Sequence, residues 1–199
     1  DMHYYRDEQL AKRWSRGWPL YTADTVVGVL GLGAVGGECA RKLRALGFQV
    51  HGWSRRHKNM VGVTCHNGAD GLLKMAAQCR FLVCVLPLTS QTEGIINASL
   101  LAAMPAGGFG INIARGGNLV DDDLLAALDS GHLGGAFLDV YNEEPLPPAH
   151  PYWHHHKVWM TPHVAGELVP RSCAKSVISS IRLIEAGQPV PNLLDKVQG

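Results

Sequence analysis

The sequence predicts a doubly wound α/β fold: a parallel sheet flanked by helices, with one more helix appended at the C-terminus. Three observations predict it. From Thr25 onward, short apolar runs alternate with helical patterns, the signature of parallel strands joined by right-handed crossovers. A glycine-rich turn, GLGAVG, stands between the first apolar run and the first helical pattern. After His163 the texture changes to a single amphipathic helix with no strand after it.

The opening segment, DMHYYRDEQLAKRWSRGW, is polar, aromatic and helix-friendly, with Leu10 and Trp14 four apart. It has little to bury by itself, so it is expected to pack on a partner subunit or on another part of the protein. TVVGVLG reads as a buried strand from Thr25 to Leu30. Val35, Cys39, Leu43 and Leu46 then recur at helical spacing, and Gly47 ends that helix. FQVHGW is a second strand, and FLVCVL a third that Pro87 halts. NASLLAAM is a short helix with Asn97 as its cap. FGINIA is a strand. DDDLLAALDSG is a helix with acids in its first turn, where the dipole favours them, and Gly131 just after. GAFLDV and VWMTPH are further strands, separated by the proline-rich loop NEEPLPPAHP. Pro170 to Ala186 carries Cys173, Val177, Ile181 and Ile184 on one stripe.

Bulk properties narrow the function. The 199 residues carry a formal net charge of +1, which gives no support to a nucleic-acid partner. No apolar run approaches the ~18 residues of a membrane span. No signal peptide is visible, and the five cysteines, Cys39, Cys65, Cys79, Cys84 and Cys173, form no CxxC pair. Free thiols in a reducing cytoplasm are the expectation.

Gly31, Gly33 and Gly36 form GxGxxG directly after a strand and at the start of a helix. The first glycine permits a tight turn, the second close approach of backbone to a pyrophosphate, the third close packing of helix on strand. The helix N-terminus, with Ala34 and Val35, then offers N–H groups to the phosphates. This is a Rossmann-like dinucleotide site; the alternative is a glycine-rich turn that binds nothing. In an NAD site, an acidic residue ~20 positions on meets the adenosine ribose. Here the second strand delivers Ser54, Arg55 and Arg56. An acid would repel a 2′-phosphate, whereas arginine pairs with it. The reading is NADP, with NAD less favoured; the alternative is a solvated basic turn that Lys58 continues.

Arg115, Glu144 and His163 stand at or just beyond strand ends, where α/β folds bind ligands. Singly, each has a bland reading as a surface cation or a structural hydrogen-bonder. Together they compose a chemistry. A carboxylate favours the protonated form of a paired histidine, which can then act as an acid. A guanidinium can grip a substrate carboxylate and polarise an adjacent carbonyl.

The stretch INIARGGNLVDDDLLAALDSGHLGGAFLDVYNEEP, with TPHVA further on, resembles the signature region of the D-isomer-specific 2-hydroxyacid dehydrogenases. Within that family it is most similar to the NADPH-using glyoxylate/hydroxypyruvate reductases. The resemblance runs from the opening segment to the C-terminus. It rests on NxARG, DVxxxEP and TPHxA occurring together. It implies reduction of a small 2-oxo acid to the D-2-hydroxy acid. Arg115 would hold the substrate carboxylate, Glu144 would partner the histidine, and His163 would donate the proton. Glu143, one place off the pattern, is expected to face solvent. Asp139 would reach the nicotinamide carboxamide. Leu86, Pro87 and Thr92 would line the adenosine side, and Ile113, Ala114 and Ala165 would complete the cofactor contacts.

The resemblance also implies a substrate domain of roughly 100 residues, which this sequence does not include. Residues 1–20 are then a dimerisation arm and interdomain segment. Residues 21–165 are the dinucleotide-binding domain, and 166–199 a helix and tail belonging to the substrate domain. A homodimer is expected. The run WHHHK, with His154, His155 and His156, is a poor metal site, because adjacent residues of an extended loop point to alternating sides. Cys84 is expected in the core.

Overall fold

The computed structural model describes residues 2–17, 20–166 and 170–191. Within them, seven strands form one sheet: β1 (Val26–Leu30), β2 (Gln49–Trp53), β3 (Thr64–His66), β4 (Phe81–Cys84), β5 (Gly108–Asn112), β6 (Leu133–Leu138) and β7 (Val158–Met160). Every pairing is parallel, in the order β3-β2-β1-β4-β5-β6-β7. The helices are α1 (Met2–Leu10), α2 (Ala34–Ala45), α3 (Gly68–Ala76), α4 (Ala98–Ala103), α5 (Asp121–Asp129) and α6 (Pro170–Glu185). The strand order reverses between β1 and β4, so a crevice opens at their carboxyl ends. The tail 192–199 and residues 1, 18, 19 and 167–169 of the expected segments lie outside the described residues.

The core has two parts. One face of the sheet packs Leu30, Leu82 and Leu138 against Met75 of α3, Leu100 and Leu101 of α4, and Leu124 and Leu128 of α5. On the other face, Val29 and Val50 pack with Leu32 and Ala40. Here α2 covers β1 and β2, while Ile111, Phe137 and Trp159, one register row across β5, β6 and β7, are only half-buried.

The Asn97 cap is as expected: its Oδ1 accepts the N–H of Leu100 at 3.2 Å. Two expectations are corrected. The apolar stripe of α2 is buried only in part: Cys39 and Leu43 pack against the core, whereas Val35 and Leu46 are exposed. The fully buried positions are Gly36, Gly37 and Ala40. Leu10 and Trp14 do not share a helix face, since α1 ends at Leu10 and both side chains are exposed. Two elements, β3 and α3, go beyond the sequence expectation. A three-residue edge strand is too short for alternation to stand out, and α3 opens on a glycine, a poor helix former.

Candidate active site

The three glycines of the turn after β1 differ in what surrounds them. Gly31 has φ 101°, a left-handed conformation, and donates its N–H to Trp53 O at 2.9 Å. A Cβ on Gly33 would meet nothing within 4 Å, so this backbone is open to an approaching group. A Cβ on Gly36 would fall 1.7 Å from Gly31 O, so helix and turn are in contact there. The first helical bond of α2 runs from Gly37 N to Gly33 O. The N–H groups of Ala34, Val35 and Gly36 therefore have no intrahelical acceptor, and Ala34 and Val35 are exposed.

A cleft of about 520 Å³ runs from this turn past Ser54, Arg55 and Arg56 to Leu86, Pro87 and Thr92. Its basic end is more structured than the sequence suggests. Arg55 Nη1 reaches across to Gln91 Oε1 at 2.9 Å. Lys58 Nζ donates to Leu32 O at 2.6 Å, tying the basic turn to the glycine turn. Ser54 is buried, and its hydroxyl donates to Arg56 O at 2.8 Å. That proton shapes the turn. Thr92 is likewise spent on its own loop, donating to Pro87 O at 2.6 Å and accepting from Thr89 N at 2.9 Å. Trp53, beneath the turn, is pinned by its Nε1 to Gly68 O at 2.9 Å.

The other end of the site is built from the segments that leave β5, β6 and β7, adjacent in the sheet. After β5, Ile113 is half-buried, Ala114 is buried and Arg115 is exposed. Asn112, 1% exposed, braces this turn: its Nδ2 donates to Arg115 O and its Oδ1 accepts from Ala114 N. Arg115 Nη1 folds back onto Ala114 O at 2.6 Å. After β6 and β7, His163 Nδ1 meets Glu144 Oε2 at 2.7 Å. Glu144 Oε1 accepts the Tyr141 N–H at 2.9 Å. The hydrogen bond from His163 holds the Glu144 carboxyl below its ordinary range; burial opposes this, and the Tyr141 N–H and the His163 charge reinforce it. Glu143 is exposed.

His163 has φ 54°, a left-handed conformation uncommon for a non-glycine residue. Asp139 holds the backbone that follows it. Its carboxylate, 1% exposed, accepts from Thr161 Oγ1, from Val164 N at 2.9 Å and from Ala165 N at 2.9 Å. Burial alone would raise the Asp139 carboxyl, but these donors and the His163 charge outweigh it and hold it low. The N–H of Ala165 thus serves Asp139. Tyr141 clamps the same two segments: its hydroxyl lies 3.0 Å from Leu138 O and 2.9 Å from Thr161 O. Burial, then the charges of Asp139 and Glu144, push this phenol up to about 12.

Asn112 and Tyr141 are contributors that sequence reasoning passed over, and Lys58, read there only as continuing the basic run, is tied to the glycine turn. Asn112 had a signal, a polar residue closing an apolar strand three places before Arg115. Elsewhere, His155 bonds Asp129 at 3.2 Å, and among the described residues no three His, Cys, Asp or Glu side chains group as a metal site. Cys79 and Cys84 are buried, and burial pushes their thiols up to about 12 and about 11. Such thiols are poor nucleophiles. Among the described residues, no helix is long and apolar enough to cross a membrane.

The chain matches a family model described as D-isomer specific 2-hydroxyacid dehydrogenase, NAD binding domain, over residues 1–165. It is similar to the structure of a D-isomer specific 2-hydroxyacid dehydrogenase from Xanthobacter autotrophicus Py2 in complex with NADPH and MES. Identity is 42% and the TM-score 0.94, over 98% of this chain and 81% of that one. It is similar to an NADPH-dependent glyoxylate/hydroxypyruvate reductase from Sinorhizobium meliloti in complex with NADP and sulfate, at 40% identity and TM-score 0.93. A probable 2-hydroxyacid dehydrogenase from Rhizobium etli CFN 42, in complex with NADP, HEPES and L(+)-tartaric acid, is 32% identical with TM-score 0.91. These last two matches cover 98% of this chain and 63% of those chains.

Proposed function

We propose, from the premise that this chain belongs to the D-isomer-specific 2-hydroxyacid dehydrogenase family through that family's NAD-binding domain, that it serves NADPH-dependent reduction of a small 2-oxo acid. The product is the D-2-hydroxy acid, with glyoxylate- or hydroxypyruvate-like compounds as substrates. The His163–Glu144 pair carries this reading: an acid and its orienting carboxylate 2.7 Å apart at the end of the same sheet that holds the glycine turn.

The residues present fit a dinucleotide. Gly33 leaves its backbone open, α2 presents N–H groups without acceptors, and Arg55, Arg56 and Lys58 stand at the ribose end. When bound, the nicotinamide supplies hydride. The chain's own residues do the rest. His163, with Nδ1 engaged by Glu144, offers Nε2 to the substrate carbonyl oxygen and delivers a proton there. Glu144 keeps the ring in one orientation and favours its charged form. Arg115, released from Ala114 O, takes the substrate carboxylate through two N–H donors. Asp139 fixes the turn on which His163 stands, and in this reading its carboxylate also receives the nicotinamide amide.

The reading includes a homodimer. The half-buried row of Ile111, Phe137 and Trp159, and the exposed Leu10 and Trp14 of the arm, support it. So do Val177, Ile181 and Ile184, exposed on α6. Free thiols support a cytoplasmic setting.

The test pairs a cofactor titration with a turnover assay, because this chain spans 63% of the reductase it resembles. NADPH binding is read by fluorescence on this chain. Turnover of glyoxylate and hydroxypyruvate is read on the chain joined to a substrate domain. His163→Ala should lower turnover roughly 100- to 10,000-fold and leave NADPH affinity nearly unchanged. A loss under ~10-fold removes His163 from the proton-donor role.

A further inference from the structure

We propose that Asp121 is a positioning residue for the His163–Glu144 pair, acting through the loop that carries Glu144. The inference rests on the reading of His163 as the proton donor. Glu144 lies on the long connection between β6 and β7, whose regular structure is one short turn at Pro151–Trp153. A carboxylate on such a loop needs anchors elsewhere if it is to hold an imidazole in one place. Asp121, the first residue of α5, supplies two. Its Oδ2 accepts from Asn142 Nδ2 at 2.9 Å, two residues before Glu144. Its Oδ1 accepts from the Tyr152 hydroxyl at 2.8 Å, beyond the prolines. Tyr152 is 2% exposed, so that hydroxyl has no water to turn to. One side chain therefore grips the Glu144 loop on both sides of Glu144.

A second observation points the same way. A Cβ on Gly116 would fall 1.9 Å from Tyr141 C and 2.3 Å from Asn142 N. The backbone immediately after Arg115 thus presses directly on the backbone that leads to Glu144. Gly116 and Asp121 belong to one connection, the one that leaves β5 with Arg115. It sets the height of the Glu144 loop through Gly116 and its lateral place through Asp121. The other acids of the α5 first turn serve elsewhere or face outward; Asp123, for one, caps Ala98 N at 2.7 Å. A helix dipole explains an acid at position 121 but not two donors aimed at it from another segment.

The groups around each end are few. Glu144 faces His163 at 2.7 Å, with Asp139 close enough to act on it by charge and Tyr141 lining the same cleft. Asn142 and Tyr152 face Asp121, with His150 Nε2 at 3.7 Å and Asp122 near Tyr152.

The test is the titration of His163 by NMR on this chain, without substrate, in the wild type, Asp121→Asn, Tyr152→Phe and Glu144→Gln. Tyr152→Phe removes one hydroxyl and no charge, so a shift there cannot come from loss of the Asp121 charge. Both Asp121→Asn and Tyr152→Phe should move the His163 midpoint down, toward that of Glu144→Gln. NADPH affinity should stay within ~2-fold, since the cofactor cleft is untouched. In the chain joined to a substrate domain, turnover should fall ~10-fold with KM for the oxo acid little changed. If His163 titrates in both variants as in the wild type while melting temperatures drop, Asp121 is a structural anchor and the proposal fails. A shift in Asp121→Asn alone assigns the effect to direct charge and overturns it equally. The titration needs no turnover, so a wild-type chain that reduces no oxo acid strikes the proposed function and not this inference.

Discussion

Replacing Glu144 by glutamine isolates what its charge does, because the side chain keeps its shape. In the wild type, Oε2 receives His163 Nδ1 at 2.7 Å and Oε1 receives Tyr141 N at 2.9 Å. A glutamine that keeps the Tyr141 bond turns its amide NH₂ toward Nδ1. That nitrogen must then accept, which favours the neutral ring and penalises imidazolium. A charge-assisted hydrogen bond is worth ~1.5–3 kcal/mol. The two side chains are 44% and 35% exposed, so solvent screens the pair. Roughly 1 kcal/mol survives that discount. In the proposed function, reduction needs imidazolium and therefore falls as pH rises. Glu144→Gln should bring that fall to lower pH. The acid side has the opposite sign. Glu144 is held below its ordinary 4.5, so its contribution to stability is complete above that value. It is lost as pH falls through the lower folded value. The assay is the pH dependence of kcat/KM for glyoxylate, with NADPH saturating, on the chain joined to a substrate domain. An alkaline limb that does not move would refute the pairing as the source of the proton donor's charge.

Three further outcomes follow from the same geometry. Ser54→Asp with Arg55→Ala, titrated with NADPH and NADH by fluorescence, should move preference toward NADH. Two phosphate contacts at ~1.5–3 kcal/mol each amount to a hundredfold or more before solvent and salt erode them; equal binding of both cofactors by the wild type would make the basic turn a solvated one. Gly36→Ala should lower Tm by roughly 3–10 °C and abolish tight NADPH binding, because the new methyl falls on Gly31 O and must displace α2. A normal melt with normal affinity would contradict the packing. The chain at micromolar concentration should sediment as a dimer, and a clean monomer would mean that the half-buried row on β5, β6 and β7 is covered in some other way.

The sequence by itself determined the class of fold and offered a candidate site. GxGxxG in a strand–turn–helix setting assigns each glycine a task from local geometry; Gly31 makes the turn at φ 101°, Gly36 lets α2 touch it, and Gly33 leaves its backbone open. Arg115, Glu144 and His163 could be picked out because each stands where a strand runs out. Only the tertiary structure decided how they are held. Periodicity reports which face of an element is apolar. It does not report that glycines and Ala40, not Val35 and Leu46, would form the contact face of α2, because closeness of approach depends on what lies opposite. Nor does it report hydrogen bonds between segments far apart in the chain. Asp139 to Thr161, His163 to Glu144, and Asp121 to Asn142 and Tyr152 all cross from one strand-end segment to another. Such pairs exist only once a parallel sheet has set β5, β6 and β7 side by side with all their carboxyl ends at one edge. The same holds for Ser54, whose hydroxyl the sequence offers to a phosphate and the folded turn gives to Arg56 O. A donor's partner is settled by three-dimensional proximity, and spacing along the chain carries that information only within a single turn, helix or strand.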